Sequence, residues 1–139
     1  MTGYINPSRE RFGGFRSLPD DGPIHMLNLV RFRAKADYPD GREATGAEAY
    51  AAYGRESGPI FRRLGGRIVW SGDFRFMLTG PEDEAWDACF IAEYPDANAF
   101  VSMVKDPDYQ KAVVHRTAAV EDSRLIRMSP RQPGAGFGE

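Results

Sequence analysis

Residues 86–128 read WDACFIAEYPDANAFVSMVKDPDYQKAVVHRTAAVEDSRLIRM, and this stretch decides the fold. Trp86 to Ala92 is an apolar run of strand formers, closed by Tyr94-Pro95. Asp96 is placed to cap a helix whose inner positions are Phe100, Met103 and Val104. Asp106-Pro107 repeats the signal, a capping residue followed by proline at the first helical position. The second helix carries Tyr109, Ala112, Val113, Arg116 and Val120 along one stripe. Glu121 to Met128 closes the unit as a strand.

Ile24 to Leu78 repeats that plan more crudely. Ile24–Phe32, IHMLNLVRF, is apolar on both faces, with Ile24, Met26 and Val30 on one and Leu27 and Leu29 on the other. Such a strand is covered on both sides. Residues 34–45 form a polar loop around the Tyr38-Pro39-Asp40-Gly41 turn. From Gly46 to Leu64, the residues Tyr50, Tyr53, Ser57, Ile60, Phe61 and Leu64 recur near helical period, Pro59 predicts a kink or restart, and Gly65-Gly66 supplies the stop. Arg67–Leu78 reads as a long strand with a bulge at Ser71-Gly72-Asp73. An antiparallel return begins near Trp86, with Trp86, Ala88, Phe90 and Ala92 on one face and Cys89 and Ile91 on the other. Ahead of all this, Asn6-Pro7 predicts the cap and first residue of a short helix bearing Phe12, Phe15 and Leu18, which the adjacent Gly13-Gly14 weakens.

After the N-terminal helix the order is strand, helix, strand, strand, helix, strand. This is the split β-α-β plan of an α+β, ferredoxin-like domain: a four-stranded antiparallel sheet with helices on one face. The expected divisions are a helical arm over 1–22, the α+β domain over 23–128 and a mobile tail over 129–139. Helices cover only one sheet face, yet the central strands are apolar on both. A second copy of the chain is the simplest cover, giving a two-fold homodimer whose sheets face each other as an α+β barrel.

With 139 residues the chain is long enough for one domain with a real core. Its formal charge of -2, with Lys and Arg scattered, argues against nucleic acid or an anionic membrane as partner. A single cysteine, Cys89, excludes an internal disulfide framework. No secretory signal and no apolar run of spanning length is visible, so a cytoplasmic address is the expectation.

Three segments together resemble the family of domains of unknown function 1330 (DUF1330). They are PIHMLNLVRF, then AYAAYGRESGPIFRRLGGRIVWSGD, then WDACFIAEYPDANAFVSMVKDPDYQKAVVHRTAAVEDSRLI, with GGR, EYPDANAF, DPDYQ and HRTAAVEDSRL the most specific parts. The resemblance covers about residues 23–128. It implies the dimeric α+β barrel superfamily, which is similar in fold to cofactor-free antibiotic-type monooxygenases, muconolactone isomerases and dye peroxidases. Residues 1–22 and the 33–45 loop depart from the shorter members.

Five residues are candidates for lining a ligand pocket: Asn28, Tyr53, Trp70, His115 and Arg116. Arg116 shares a stripe with Ala112 and Val113, so its guanidinium needs carboxylate or carbonyl partners, with Asp122, Asp96 or Glu93 in reach of the sequence logic. Its architectural reading is a salt bridge between helix and strand; its functional reading is an anchor for an anion or carbonyl. Asn28 interrupts an apolar strand, and its amide must bond to backbone or point into a pocket. Tyr53, Trp70 and Tyr50 either line an apolar pocket or are plain core. His25 and His115 lack metal-ligand spacing, so no metal is expected. A haem on His115 has only fold analogy behind it, and no cofactor is expected. Cys89 reads as a buried, inert thiol.

Three functions follow in order. The first is a dimer binding a small, partly apolar molecule, which asks for a cavity of about 300 Å³ or more beside Arg116 or Trp70. The second is a cofactor-independent monooxygenase or isomerase acting on an aromatic or polyketide-like substrate. In it, Arg116 or Asn28 holds an oxyanion and His115 or Tyr53 moves a proton, so these groups must converge. The third is a purely structural dimer with both sheet faces filled.

Overall fold

The computed structural model of the chain describes residues 3–138; Met1 and Thr2 of the expected arm and Glu139 of the expected tail lie outside the described residues. Its elements are α1 (Arg9–Ser17), β1 (Ile24–Phe32), α2 (Gly46–Arg63), β2 (Arg67–Gly72), β3 (Ala88–Tyr94), α3 (Ala97–Lys105), α4 (Pro107–Ala119) and β4 (Val120–Met128). The strands form one antiparallel sheet in the order β2-β3-β1-β4, the ferredoxin-like arrangement. Among the described residues no helix is long and apolar enough to cross a membrane.

The caps expected for α3 and α4 are the caps observed. Asp96 accepts from the Ala99 amide to open α3, and Asp106 accepts from Asp108 to open α4 behind Pro107. Thr45 and Glu48 bond reciprocally to start α2, and Gly65, at φ 86°, supplies the left-handed residue just past its end. Three local expectations are corrected. The cap of α1 is Ser8, whose hydroxyl accepts from Arg11, rather than Asn6. Helix α2 runs through Pro59 without restarting. β2 stops at Gly72 instead of reaching Leu78, because Gly72 already pairs with Cys89 and β3 extends only to Ala88. Its irregularity falls between Ile68 and Trp70, ahead of the expected bulge.

Register sorts the sheet into two faces, since directly opposed residues point the same way. Ile24, Met26, Asn28 and Val30 of β1 and Ala88, Phe90, Ala92 and Tyr94 of β3 face the helices. There Met26, Ala92, Tyr94, Phe100, Met103, Tyr109 and Ile60 form one buried core. Val30, Ala36, Tyr38, Ala49, Ala118 and Val120 form a second. The 33–45 loop belongs to that second core. Its backbone is tied to the end of α4 by Arg33 N–H to Ala119 O at 2.8 Å and Asp37 N–H to Ala118 O at 2.9 Å. Gly46 starts α2 so close to this loop that a Cβ would lie 2.0 Å from the Arg33 carbonyl oxygen.

The opposite face holds His25, Leu27, Leu29 and Arg31 of β1, Cys89, Ile91 and Glu93 of β3, Arg124, Ile126 and Met128 of β4, and Trp70 of β2. No helix covers it. Trp86 precedes β3 and turns to this side, away from Ala88 and Phe90, where Arg124 stacks on its ring at 5.3 Å. The helical arm covers the other side. Phe15 packs against Phe100 at 5.1 Å, Arg127 donates to the Phe15 and Pro19 carbonyls, and Asp20 accepts from the first amides of α3.

Candidate functional site

Between the helices and the sheet, three tyrosines meet. Tyr50 and Tyr53, three residues apart on α2, present adjacent rings 5.5 Å apart. α4 brings Tyr109 to Tyr53, their hydroxyls 2.8 Å apart with one donating to the other. Burial pushes the hydroxyls of Tyr50 and Tyr109 well above the ordinary tyrosine range; the neighbouring Tyr53 adds to this and the Arg116 charge opposes it. These phenols stay protonated and neutral at physiological pH, which makes them hydrogen-bond donors and poor bases.

On the same side of the sheet lies Asn28, flanked in register by Phe90 and Leu125. Its Nδ2 donates to the Met26 carbonyl at 3.0 Å, which leaves the amide oxygen directed elsewhere. Although Asn28 is at the middle of a central strand beneath helices, it is only partly buried, and Leu125 beside it is 37% exposed. Solvent therefore reaches this side of the sheet near the β4 edge.

Arg116, on the last turn of α4, is 8% exposed. Its partners differ from the expected carboxylates. Nη1 donates to the Ile5 carbonyl and to Asn6 Oδ1 at 3.3 Å, and Nη2 to Ser123 Oγ at 3.5 Å. Asp122 is taken by Arg124 at 2.9 Å and Arg31 at 3.6 Å, Asp96 caps α3, and Glu93 lies on the open face between His25 and Arg67.

The other two candidates stand apart from the tyrosines. Trp70, 51% exposed, is on the open sheet face beside Ile91. His115 sits between α2, α4 and the 33–45 loop, with Nε2 2.8 Å from Glu56 Oε2 and Nδ1 2.6 Å from the Tyr38 hydroxyl. A carboxylate only accepts, so Nε2–H donates to Glu56, while the Tyr38 hydroxyl meets the ring at Nδ1. This chain fixes the loop to the helices. The five residues thus divide among three places, with Tyr53, Asn28 and Arg116 on one side of the sheet. Tyr109, Tyr38 and Glu56 were not singled out for a site by sequence reasoning, since their partners are far away along the chain and no spacing signals them.

A cavity of about 360 Å³ lies elsewhere, opening to solvent among Ala34, Lys35, Glu43, Ala44, Thr45 and Glu48, rather than beside Arg116 or Trp70. Among the described residues no group of three or more His, Cys, Asp or Glu is placed to hold a metal. Cys89 is partly buried on the open face, where burial, then Asp73 and Asp87, push its thiol up and keep it unreactive.

The family model for a domain of unknown function, DUF1330, matches residues 42–128. The chain belongs to the DUF1330 family. That match takes in α2 through β4, so the resemblance of β1 lies outside it. Nothing among the curated proteins matches the chain. Two solved structures are similar over nearly the whole chain. The methylated RPA0582 protein is 65% identical, with 96% of this chain and 99% of that one covered and a TM-score of 0.94. RPA0582, a protein of unknown function from Rhodopseudomonas palustris, is 64% identical, with 95% and 100% covered and a TM-score of 0.91. A dimeric protein of unknown function with a ferredoxin-like fold from Bacteroides fragilis is 9% identical, with 79% and 98% covered and a TM-score of 0.48.

Proposed function

We propose that this DUF1330 protein is a homodimer that binds a small, partly apolar molecule in a recess beside Tyr50, Tyr53 and Tyr109, between its helices and sheet. The observation that carries the reading is that Tyr50, Tyr53 and Tyr109 meet on the helix side of the sheet, the side that also carries a half-satisfied, partly exposed Asn28. Aromatic walls with a few oriented polar groups are the usual composition of a small-molecule site. Dimerisation is supported separately by the uncovered apolar face of Leu27, Leu29, Ile91, Trp70, Ile126 and Met128.

Binding fits this chemistry better than turnover. A cofactor-independent monooxygenase or isomerase needs a base at the substrate. The buried phenols are poor bases, and His115 is engaged by Tyr38 and Glu56 outside the recess. A purely structural dimer would have a filled interior on the helix side, against which the exposure of Asn28 and Leu125 argues. The test is denaturing mass spectrometry of protein purified without added ligand, paired with Tyr53→Phe. The expected result is a co-purifying aromatic or apolar compound whose occupancy falls in the variant. Equal occupancy in wild type and variant, or a compound displaced only by changes on the open face, overturns the assignment of the recess.

A further inference from the structure

Between β2 and β3 the chain keeps a strand's sequence without a strand's partner. After β2 ends at Gly72, residues 73–79 read DFRFMLT, rich in strand formers. Among the described residues, residues 74–79 enter no hydrogen bond between backbone groups. Phe76 is 78% exposed and Leu78 86%. Large apolar side chains on an unpaired backbone mark a contact surface rather than a solvated loop.

A third exposed side chain stands at the far edge of the sheet. Tyr4 is 72% exposed although its backbone is fixed on β4, by its N–H to Asp122 at 2.9 Å and by Ser123 Oγ donating to its carbonyl at 2.6 Å. Arg124, which belongs to the uncovered face, lies over the Tyr4 ring at 5.1 Å. Tyr4 therefore borders that face.

Register fixes where these two features stand. Gly72 pairs with Cys89, Cys89 with Leu29 and Leu29 with Arg124. One row thus crosses the sheet from the last residue of β2 to the residue that carries the Tyr4 ring. Three antiparallel steps make β2 run opposite to β4, so at Gly72 the chain heads for the end of the sheet at which Asp122 holds Tyr4. Within one chain the two features keep to opposite edges, about 14 Å apart with β3 and β1 between them.

A second copy removes that separation. A two-fold axis parallel to the strands, between two facing sheets, keeps every level and exchanges the edges. The β2 edge of one protomer then lies over the β4 edge of the other, and the contact occurs twice. The face alone is small for an interface. Leu27, Leu29 and Ile91 are already partly buried in the single chain, whereas a stable contact takes about 800 Å² from each partner. Phe76, Leu78 and Tyr4 enlarge it at one end.

We infer that residues 73–79 form a clasp that closes over the partner's Tyr4, twice in each homodimer, with the two-fold axis parallel to the strands. This rests on the homodimer reading and adds which surface of the second copy is engaged and in what orientation.

The test is cross-linking by a short bis-maleimide in the full chain carrying Cys89→Ser, beside sedimentation velocity. Leu78→Cys with Tyr4→Cys in one chain is expected to give a covalent dimer, and neither substitution alone does. Phe76→Ser, at an exposed position that the protomer's own fold does not use, is expected to raise the dimer dissociation constant about 10²- to 10⁴-fold, since burial of the ring is lost twice. A covalent dimer from either single substitution shows like meeting like, an axis across the strands, and overturns the clasp. A dimer that sediments normally yet yields no covalent product, or keeps its dissociation constant in Phe76→Ser, overturns the clasp and leaves the homodimer standing. A wild-type monomer overturns both.

Discussion

Ile91→Asp strikes the uncovered sheet face at its centre. Leu27, Ile91 and Ile126 stand opposite one another across β3, β1 and β4, and Trp70 pairs with Ile91 on the outer side. Trp70, Ile126 and Met128 are 51%, 44% and 39% exposed in the single chain, which makes a contiguous apolar stripe of the kind that marks an interface. In a two-fold assembly one substitution enters the contact twice. Losing the burial of an isoleucine costs about 1.5–3 kcal/mol per copy, hence about 3–6 kcal/mol per dimer before charge is counted. The two new carboxylates must also leave water, at several kcal/mol each if the contact still forms. A dimer with a dissociation constant near 1 µM is held by about 8 kcal/mol, so the apolar loss alone raises that constant about 10²- to 10⁴-fold. Sedimentation velocity at micromolar protein is expected to show a dimer for wild type and a monomer for the variant. Far-UV circular dichroism should be unchanged, because Ile91 faces away from the helices. Trp70 emission should shift to the red. A wild-type monomer at these concentrations, or a variant that sediments as wild type does, refutes the reasoning.

A double-mutant cycle on Tyr53→Phe and Tyr109→Phe, read by urea denaturation, is expected to give a coupling of about 0.5–1.5 kcal/mol for the bond between the two hydroxyls; zero coupling would mean that the pair contributes nothing. Glu93 is held below its ordinary value of 4.5, first by His25 and then by Arg67. A carboxylate depressed in the folded state stabilises fully above its unfolded value, and that contribution is lost as the pH falls through the folded one. Wild type should therefore lose more stability than Glu93→Gln as the pH is lowered from 4.5, measured by denaturation midpoints at each pH; parallel curves would remove the ion cluster from the account.

The fold was legible because its signals are local. Asp96, Asp106-Pro107 and Gly65 each announce a helix boundary within a few residues, and their geometry appears as expected. The split order of strands follows once those helices are placed. What local reading misjudged was anything set by a partner strand. RIVWSGDFRFML alternates well enough to continue as a strand, but a strand ends where its neighbour does, and β3 offers nothing beyond Ala88. Trp86 was assigned to the Phe90 face by simple alternation, which has no force before the strand begins. Its ring instead meets Arg124 and Arg31, whose positions become known only from the pairing of β1 with β4.

The surroundings of the candidate residues were less legible than the fold. Arg116 was recognisable as a buried charge from its stripe on α4, and the mind goes to acids for partners because only side chains are visible in a sequence. The actual cap is a backbone carbonyl 111 residues away, and any residue type at position 5 would present the same oxygen. What permits that approach is the arm's fit against β4, where a Cβ on Gly3 would lie 1.9 Å from the Glu121 carbonyl oxygen. The period of the strands then separates the helix side of the sheet from the uncovered face. Asn28 and Phe90 turn to the helix side, while Leu27, Leu29 and Ile91, their immediate neighbours along β1 and β3, turn to the uncovered face. On the proposed reading, alternate residues of the same strands therefore serve ligand and partner separately. A change that abolishes pairing between chains need not touch the recess, and a change in the recess need not loosen the pair.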